Sequence, residues 1–570
     1  MPSQSLGALK AGSLVGRLPL AAVLGMIGWL ALAAPLRAES PKLVVVISVD
    51  QYCQEYMNRF RPTLVSPPDQ QPGMLAEVLA KGTMFTECHH RHAFTVTAPG
   101  HAVQMTGTYP SRTGVIGNDW FDRETGKDRY CVSDPQETIV GFPTGKPMSP
   151  RVLETDTVGD RMKLATGGRS KVIGVAIKDR AAILMTGHRA DAAYWLQNNH
   201  WVTSTYYRND LPGYLRVLND QKAIDQFRGK VWDLLLPESA YTKSSPDDMP
   251  YENPPANFDT KFPHEFAKLG ELNEDKFGDQ VLYSPFGNDY TLQAAREIVI
   301  GEKLGGDEYP DFLAINFSSN DYVGHAFGPY SMEVEDITYR TDRQILGFTK
   351  FLDEQVGAGK WTLMITADHG VAPIPEWAAE QKIPAKRNPL GSLSQLKDKL
   401  EARVRSAIGA ETSEKPVILD FSENAVLFDH AHEKLGGTQS RELAERAVRD
   451  MLLEQDGIAA AFTRSDLLAG GQGKLFEQVS LAFHPRRSGD VLYVLKPYCI
   501  TGGSGKGTTH GSPYFYDTHV PCLLLGCGIQ KQVSDRPVSP ACLASTIAQL
   551  LGIDPPAGNI EQPLTEALAK

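Results

Sequence analysis

Four apolar runs rich in valine, isoleucine and leucine each stop at a polar, chemistry-bearing residue, and this recurrence restricts the fold more than any other feature. Residues 42–49 end in Asp50-Gln51, and residues 171–177 end in Lys178-Asp179-Arg180. Residues 311–317 lead into Ser318-Ser319-Asn320-Asp321, and residues 361–366 end in Ala367-Asp368-His369. Continuous apolar runs of this kind are buried on both faces, as in the centre of a parallel sheet covered by helices. Such sheets place their ligands beyond the carboxyl ends of the strands. The expected fold is therefore α/β, a mostly parallel central sheet flanked by helices. Helices are expected over residues 74–80, closed by Gly82, and after Glu333, where Ile337, Ile345, Phe348 and Leu352 recur at helical spacing.

A chain of 570 residues exceeds one ordinary core, so a large domain with insertions is expected. Residues 39–384 and 481–570 are assigned to the main domain, with an irregular excursion over the site at about 200–290. Residues 385–480 are assigned to an inserted α+β subdomain, in which Leu393, Leu396, Leu400 and Val404 mark one helix and Leu443, Ala447 and Met451 another. The net charge of -11 argues against a nucleic-acid-binding surface. It leaves room for an anionic substrate, because a local cationic pocket or metal reverses the field in a cleft.

Residues 1–38 read as a signal peptide: Lys10 and Arg17 precede an apolar run over 18–34, and Pro35-Leu36-Arg37-Ala38 offers a cleavage site. An uncleaved anchor is the competing reading, and export to the periplasm or medium follows from either. Cleavage takes the charge to -14 and leaves no membrane contact. The seven cysteines leave one unpaired and allow one or two disulfides, but no Cys-x-x-Cys zinc pair occurs.

Phe94-Thr95-Val96-Thr97-Ala98-Pro99-Gly100-His101 places a threonine where a strand gives way to a turn or helix. Thr97 reads either as a helix cap or as a hydroxyl at the lip of a cleft. The His89, His90, His92 patch reads as a polar strand or loop, since no carboxylate is interleaved with it. Asn118 is a turn residue or an amide donor aimed into a site. Lys178 and Arg180, with one residue between them, point to the same side if extended and suit a phosphate dianion. The strand-end set of Asp50, Asp321, His325, Asp368, His369 and His510 offers three carboxylates and three imidazoles. That donor set suits two zinc-like ions with open positions.

Asp50, Thr97-Ala98-Pro99-Gly100-His101, Asn320-Asp321-Tyr322-Val323-Gly324-His325, Thr366-Ala367-Asp368-His369-Gly370 and Thr509-His510-Gly511 resemble the metal-site signatures of the alkaline phosphatase superfamily. The resemblance is closest to bacterial zinc alkaline phosphatases with a threonine nucleophile, which share a core with nucleotide pyrophosphatase/phosphodiesterases. It implies two zinc ions, one held by Asp321, His325 and His510 and one by Asp50, Asp368 and His369 with Thr97. It further implies a phosphothreonine intermediate at Thr97, with Asn118, Lys178 and Arg180 holding the phosphoryl oxygens of small phosphate monoesters. His101 becomes a structural turn residue. A phosphodiesterase keeps the same ligands and is the main rival. A sulfatase lacks support because its Cys/Ser-x-Pro-x-Arg segment is absent, and a degenerate exported zinc-binding protein leaves the intact nucleophile unexplained.

Overall fold

The computed structural model describes residues 40–569 except 256, 413, 414, 503 and 504. The signal-peptide assignment therefore lies outside the described residues. Ser40–Ala569 form one compact unit.

A ten-stranded sheet runs through it in the order Gln532–Ser534, Thr83–Phe85, Cys522–Gly526, Trp361–Thr366, Leu43–Val49, Asp311–Phe317, Val172–Ala176, Ala192–Gln197, His200–Ser204, Ile139–Val140. The five strands from Trp361–Thr366 to Ala192–Gln197 are parallel. Every residue of Leu43–Val49, Asp311–Phe317 and Trp361–Thr366 is buried, as the unbroken apolar runs require. Each fully buried Val, Leu or Ile there contributes roughly 1.5–3 kcal/mol.

Register converts those strands into a site. Ser48 pairs with Thr366, Val49 with Phe317 and Asn316 with Ala176. Two residues beyond Ser48, Thr366 and Ala176 stand Asp50, Asp368 and Lys178, so three charged groups emerge along one sheet edge. The fourth segment continues as the helix Ser319–Phe327, which carries Asp321 and His325 on one face.

The excursion at 200–290 is more regular than expected. It opens with the sheet strand His200–Ser204 and contains the helices Gly213–Asp220 and Glu274–Leu282. The insertion forms a four-stranded sheet in the order Ile418–Phe421, Ala425–Phe428, Val491–Leu495, Ile458–Thr463. An inner strand of that sheet, Val491–Leu495, comes from beyond residue 480. Lys386–Arg387 pairs in parallel with Cys499–Ile500. In its helix Thr438–Leu453 the buried face is Ala444, Val448 and Leu452, while Leu443 is 41% exposed, so the expected stripe is one residue out. Among the described residues no disulfide forms. No helix of theirs is long and apolar enough to cross a membrane.

Candidate active site

Thr97 opens the helix Thr97–Thr106 without capping it, since the N-cap position is Val96 and no side-chain cap bond forms. Its hydroxyl faces the sheet edge instead, with Oγ1 3.4 Å from His369 Nε2. Pro99 falls in the first turn, where its missing N–H costs nothing. Gly100 is required by contact: a Cβ there lies 2.2 Å from the carbonyl oxygen of Asp368. The helix start therefore rests directly on the Asp368 backbone.

His325, His510 and Asp321 converge as one cluster. Asp321 Oδ1 lies 3.2 Å from His325 Nε2 and 3.6 Å from His510 Nε2. Each imidazole is held from behind: His325 Nδ1 bonds the Thr508 carbonyl at 2.7 Å and His510 Nδ1 the Thr95 carbonyl at 2.9 Å. An Nδ1–H spent on a carbonyl leaves Nε2 as the lone-pair nitrogen, the usual arrangement behind a metal-ligating histidine.

Asp50, Asp368 and His369 meet beside it. His369 Nε2 is 3.1 Å from Asp368 Oδ2 and 3.6 Å from Asp50 Oδ1, and its Nδ1 bonds the Gly370 carbonyl at 2.9 Å. All three side chains are fully buried. Asp50 Oδ1 and Asp368 Oδ2 nevertheless have no hydrogen-bond partner. A buried acceptor left unpaired costs about 1–3 kcal/mol, so two such atoms at one imidazole call for a cation. Burial, and then the neighbouring Asp368, pushes the Asp50 carboxyl up to about 8, a second sign of uncompensated negative charge. The donor set and these orphaned oxygens fit divalent ions of the zinc class.

Lys178 bridges the clusters, with Nζ 3.0 Å from Asp50 Oδ2 and 2.5 Å from Asp321 Oδ2. It also lies 5.3 Å over the Tyr322 ring. Lys178 and Arg180 do not form an extended pair, because the helix Asp179–Leu184 starts between them. Arg180 Nη1 instead donates to the Tyr130 hydroxyl at 3.1 Å, which in turn donates to Asp179. Asn118 accepts the Ala98 N–H on Oδ1 at 2.9 Å, which turns its amide NH2 the other way.

His101 lies within the helix and is not a turn residue as expected. Its Nδ1 donates to the Thr97 carbonyl at 2.8 Å, and its Nε2 accepts from Asn316 Nδ2 at 2.9 Å. Burial pushes this imidazole down to about 4, so it stays neutral and positions Thr97. Two organising residues escaped the sequence reading. Gln51, at φ 63°, gives its N–H to Asp368 Oδ1 at 3.2 Å and its Nε2 to Asp321 Oδ1 at 2.7 Å. For Asn316 the one available signal is a polar residue inside an apolar strand.

A family model described as type I phosphodiesterase / nucleotide pyrophosphatase matches residues 44–511. The chain belongs to that family. A protein named calcium-transporting ATPase from Myroides odoratus is 34% identical over 94% of this chain and 96% of its own. Alkaline phosphatase PafA from Elizabethkingia meningoseptica is 33% identical, over 93% of this chain and 95% of that one. Alkaline phosphatase PhoV from Synechococcus elongatus is also 33% identical, over 94% of each. The crystal structure of PafA superposes with a TM-score of 0.83 at 32% identity, covering 93% of this chain and 99% of that one. A four-site PafA variant, with one threonine, one asparagine, one lysine and one arginine replaced, matches at 0.84.

Proposed function

We propose that the protein is an exported alkaline phosphatase that releases inorganic phosphate from small phosphate monoesters through a phosphothreonine at Thr97. The observation that carries this reading is the placement of the Thr97 hydroxyl at a helix start, against His369 and one sheet edge where Asp321 meets His325 and His510 and Asp50 and Asp368 meet His369. The PafA variant supports it. Its replaced threonine and asparagine lie 21 residues apart, as do Thr97 and Asn118, and its lysine and arginine two apart, as do Lys178 and Arg180.

In this reading Asp321, His325 and His510 hold one zinc ion, and Asp50, Asp368 and His369, with Thr97, hold the other. The ions, when bound, supply positive charge for the attacking and leaving oxygens and lower the pKa of the threonine hydroxyl. Thr97 Oγ1 forms a bond to phosphorus as the ester P–O bond breaks, and the hydroxyl proton departs with the alcohol. Water then displaces Thr97 from phosphorus and restores its hydroxyl. Lys178, Arg180 and the Asn118 amide NH2 hold the non-bridging oxygens. The leaving group occupies the cleft lined by Phe94, Glu423, Asn424, Thr501, His510 and Tyr516, between the site and the insertion.

A phosphodiesterase is the rival, and charge separates the two. A monoester above its second pKa presents a dianion, whereas a diester carries one charge and a second organic arm. Two cations and an amide donor match the dianion. Purified protein is expected to favour a chromogenic monoester over the matching diester, with ATP included because one relative is named an ATPase. Replacing Lys178 and Arg180 together should depress monoester kcat/KM far more than diester kcat/KM. A native preference for the diester refutes the monoesterase reading.

Gly100→Ala tests the seating of the nucleophile. Its methyl group meets Asp368 backbone, so the first helical turn must lift. A displacement of about 1 Å costs on the order of 100-fold in turnover, with a lower Tm from overpacking. Unchanged kcat in Gly100→Ala contradicts the seating argument.

A further inference from the structure

We propose that Glu87, His89 and His519, none of them assigned to catalysis, form an accessory site for a zinc-class divalent ion. Their ligand atoms all lie within 4.8 Å of one another. The carboxylate missing from the histidine patch is thus supplied two residues ahead of it, and the second imidazole comes from 430 residues downstream.

The backbone builds this cluster before any ion arrives. Residues 87–89 are held extended, with the Val538 N–H on the Glu87 carbonyl at 2.9 Å and the His89 N–H on the Val538 carbonyl at 2.8 Å. Two residues apart on an extended segment, Glu87 and His89 share one face. His89 pairs across an antiparallel bridge with His519, which puts their side chains opposite each other. The imidazoles stack at 4.2 Å between centroids, and His89 Nε2 lies 3.5 Å from Glu87 Oε2.

Each ring is anchored through its other nitrogen, as in the catalytic clusters. His519 Nε2 bonds the Thr86 carbonyl at 2.7 Å, which requires the proton on Nε2 and leaves Nδ1 as the lone pair. His89 Nδ1 lies 3.4 Å from Thr518 Oγ1, leaving Nε2 on the Glu87 side. Two imidazoles and one carboxylate suit zinc better than magnesium or calcium, which prefer oxygen. Glu87 and His89 side chains are 48% and 33% exposed, so an ion has a path in and a position open to water.

An ion here ties residues 87–89 to the segment ending at His519. That segment supports the active site: Asp517 Oδ2 accepts the N–H groups of Gly511 at 3.1 Å and Ser512 at 2.7 Å, next to His510. The site is therefore a clamp behind a catalytic ligand.

Equilibrium dialysis of the metal-loaded enzyme against rising free zinc, followed by elemental analysis, tests it. Wild type is expected to bind one more zinc ion per chain than His89→Ala, and Glu87→Gln should weaken that ion at least ~10-fold. Added zinc should raise the Tm of wild type and leave that of His89→Ala unmoved. If His89→Ala does not fold, His89→Gln carries the same comparison. Equal zinc content in wild type and the His89 variants overturns the proposal. So does an extra ion that survives in them and disappears in His510→Ala, since it then belongs to the catalytic pair.

Discussion

Thr97→Ala is expected to lose monoester turnover by roughly four orders of magnitude, about 5 kcal/mol of transition-state stabilisation, and to form no phosphoenzyme. The loss is large because Thr97 supplies the attacking oxygen in this reading. Thr95, the nearest hydroxyl in sequence, donates its Oγ1 to the Ser512 carbonyl at 2.8 Å and is committed there. Thr97→Ser keeps a hydroxyl on the same helix start and should retain measurable turnover. Thr95→Ala loses one anchoring bond and should fall by about tenfold or less, since a hydrogen bond of this kind is worth about 1 kcal/mol. Quenched-flow trapping with a labelled monoester, followed by peptide mapping, decides the matter. A phosphopeptide that excludes Thr97 refutes the assignment.

Chelation is the second large effect. Stripping divalent ions should abolish turnover, and zinc should restore it better than magnesium, because imidazoles dominate the available donors. His510→Ala should lose both turnover and bound zinc, since it removes one of three ligands from its cluster. His90→Ala is the informative contrast. His90 is also buried close by, but its Nε2 is spent on the Ala367 carbonyl at 3.0 Å, so it supports the strand end without reaching the clusters. That variant should lower Tm through the cavity it leaves and keep its zinc. Full activity in a chelated sample, or zinc lost from His90→Ala and retained in His510→Ala, would falsify the ligand assignment.

The strand ends were legible in the sequence because they rest on local rules. A run such as Asp311–Phe317 carries its burial in its own composition, and the residue that follows must emerge at the carboxyl edge. Asp50, Lys178, Asp321 and Asp368 are therefore placed by hydrophobicity and chain direction alone, and Thr97 by the break that Pro99 and Gly100 announce. The donor types in these segments also mark them as candidate metal-binding residues before any distance is measured.

What only the tertiary structure decided is which of these groups touch, and on which side. The helix Thr438–Leu453 offers two adjacent apolar stripes of nearly equal strength, and packing against the rest of the insertion buries Ala444, Val448 and Leu452 in place of Leu443. Lys178 bridges Asp50 and Asp321 because three strands adopt one register. Gln51 joins both clusters from a left-handed backbone, and Gly324 leaves room for its side chain, since a Cβ on Gly324 would lie 1.8 Å from Gln51 Oε1. Glu87 and His89 gain His519 across hundreds of residues. Pairings at such separations depend on how the sheet stacks distant segments, and local propensity and spacing are blind to that.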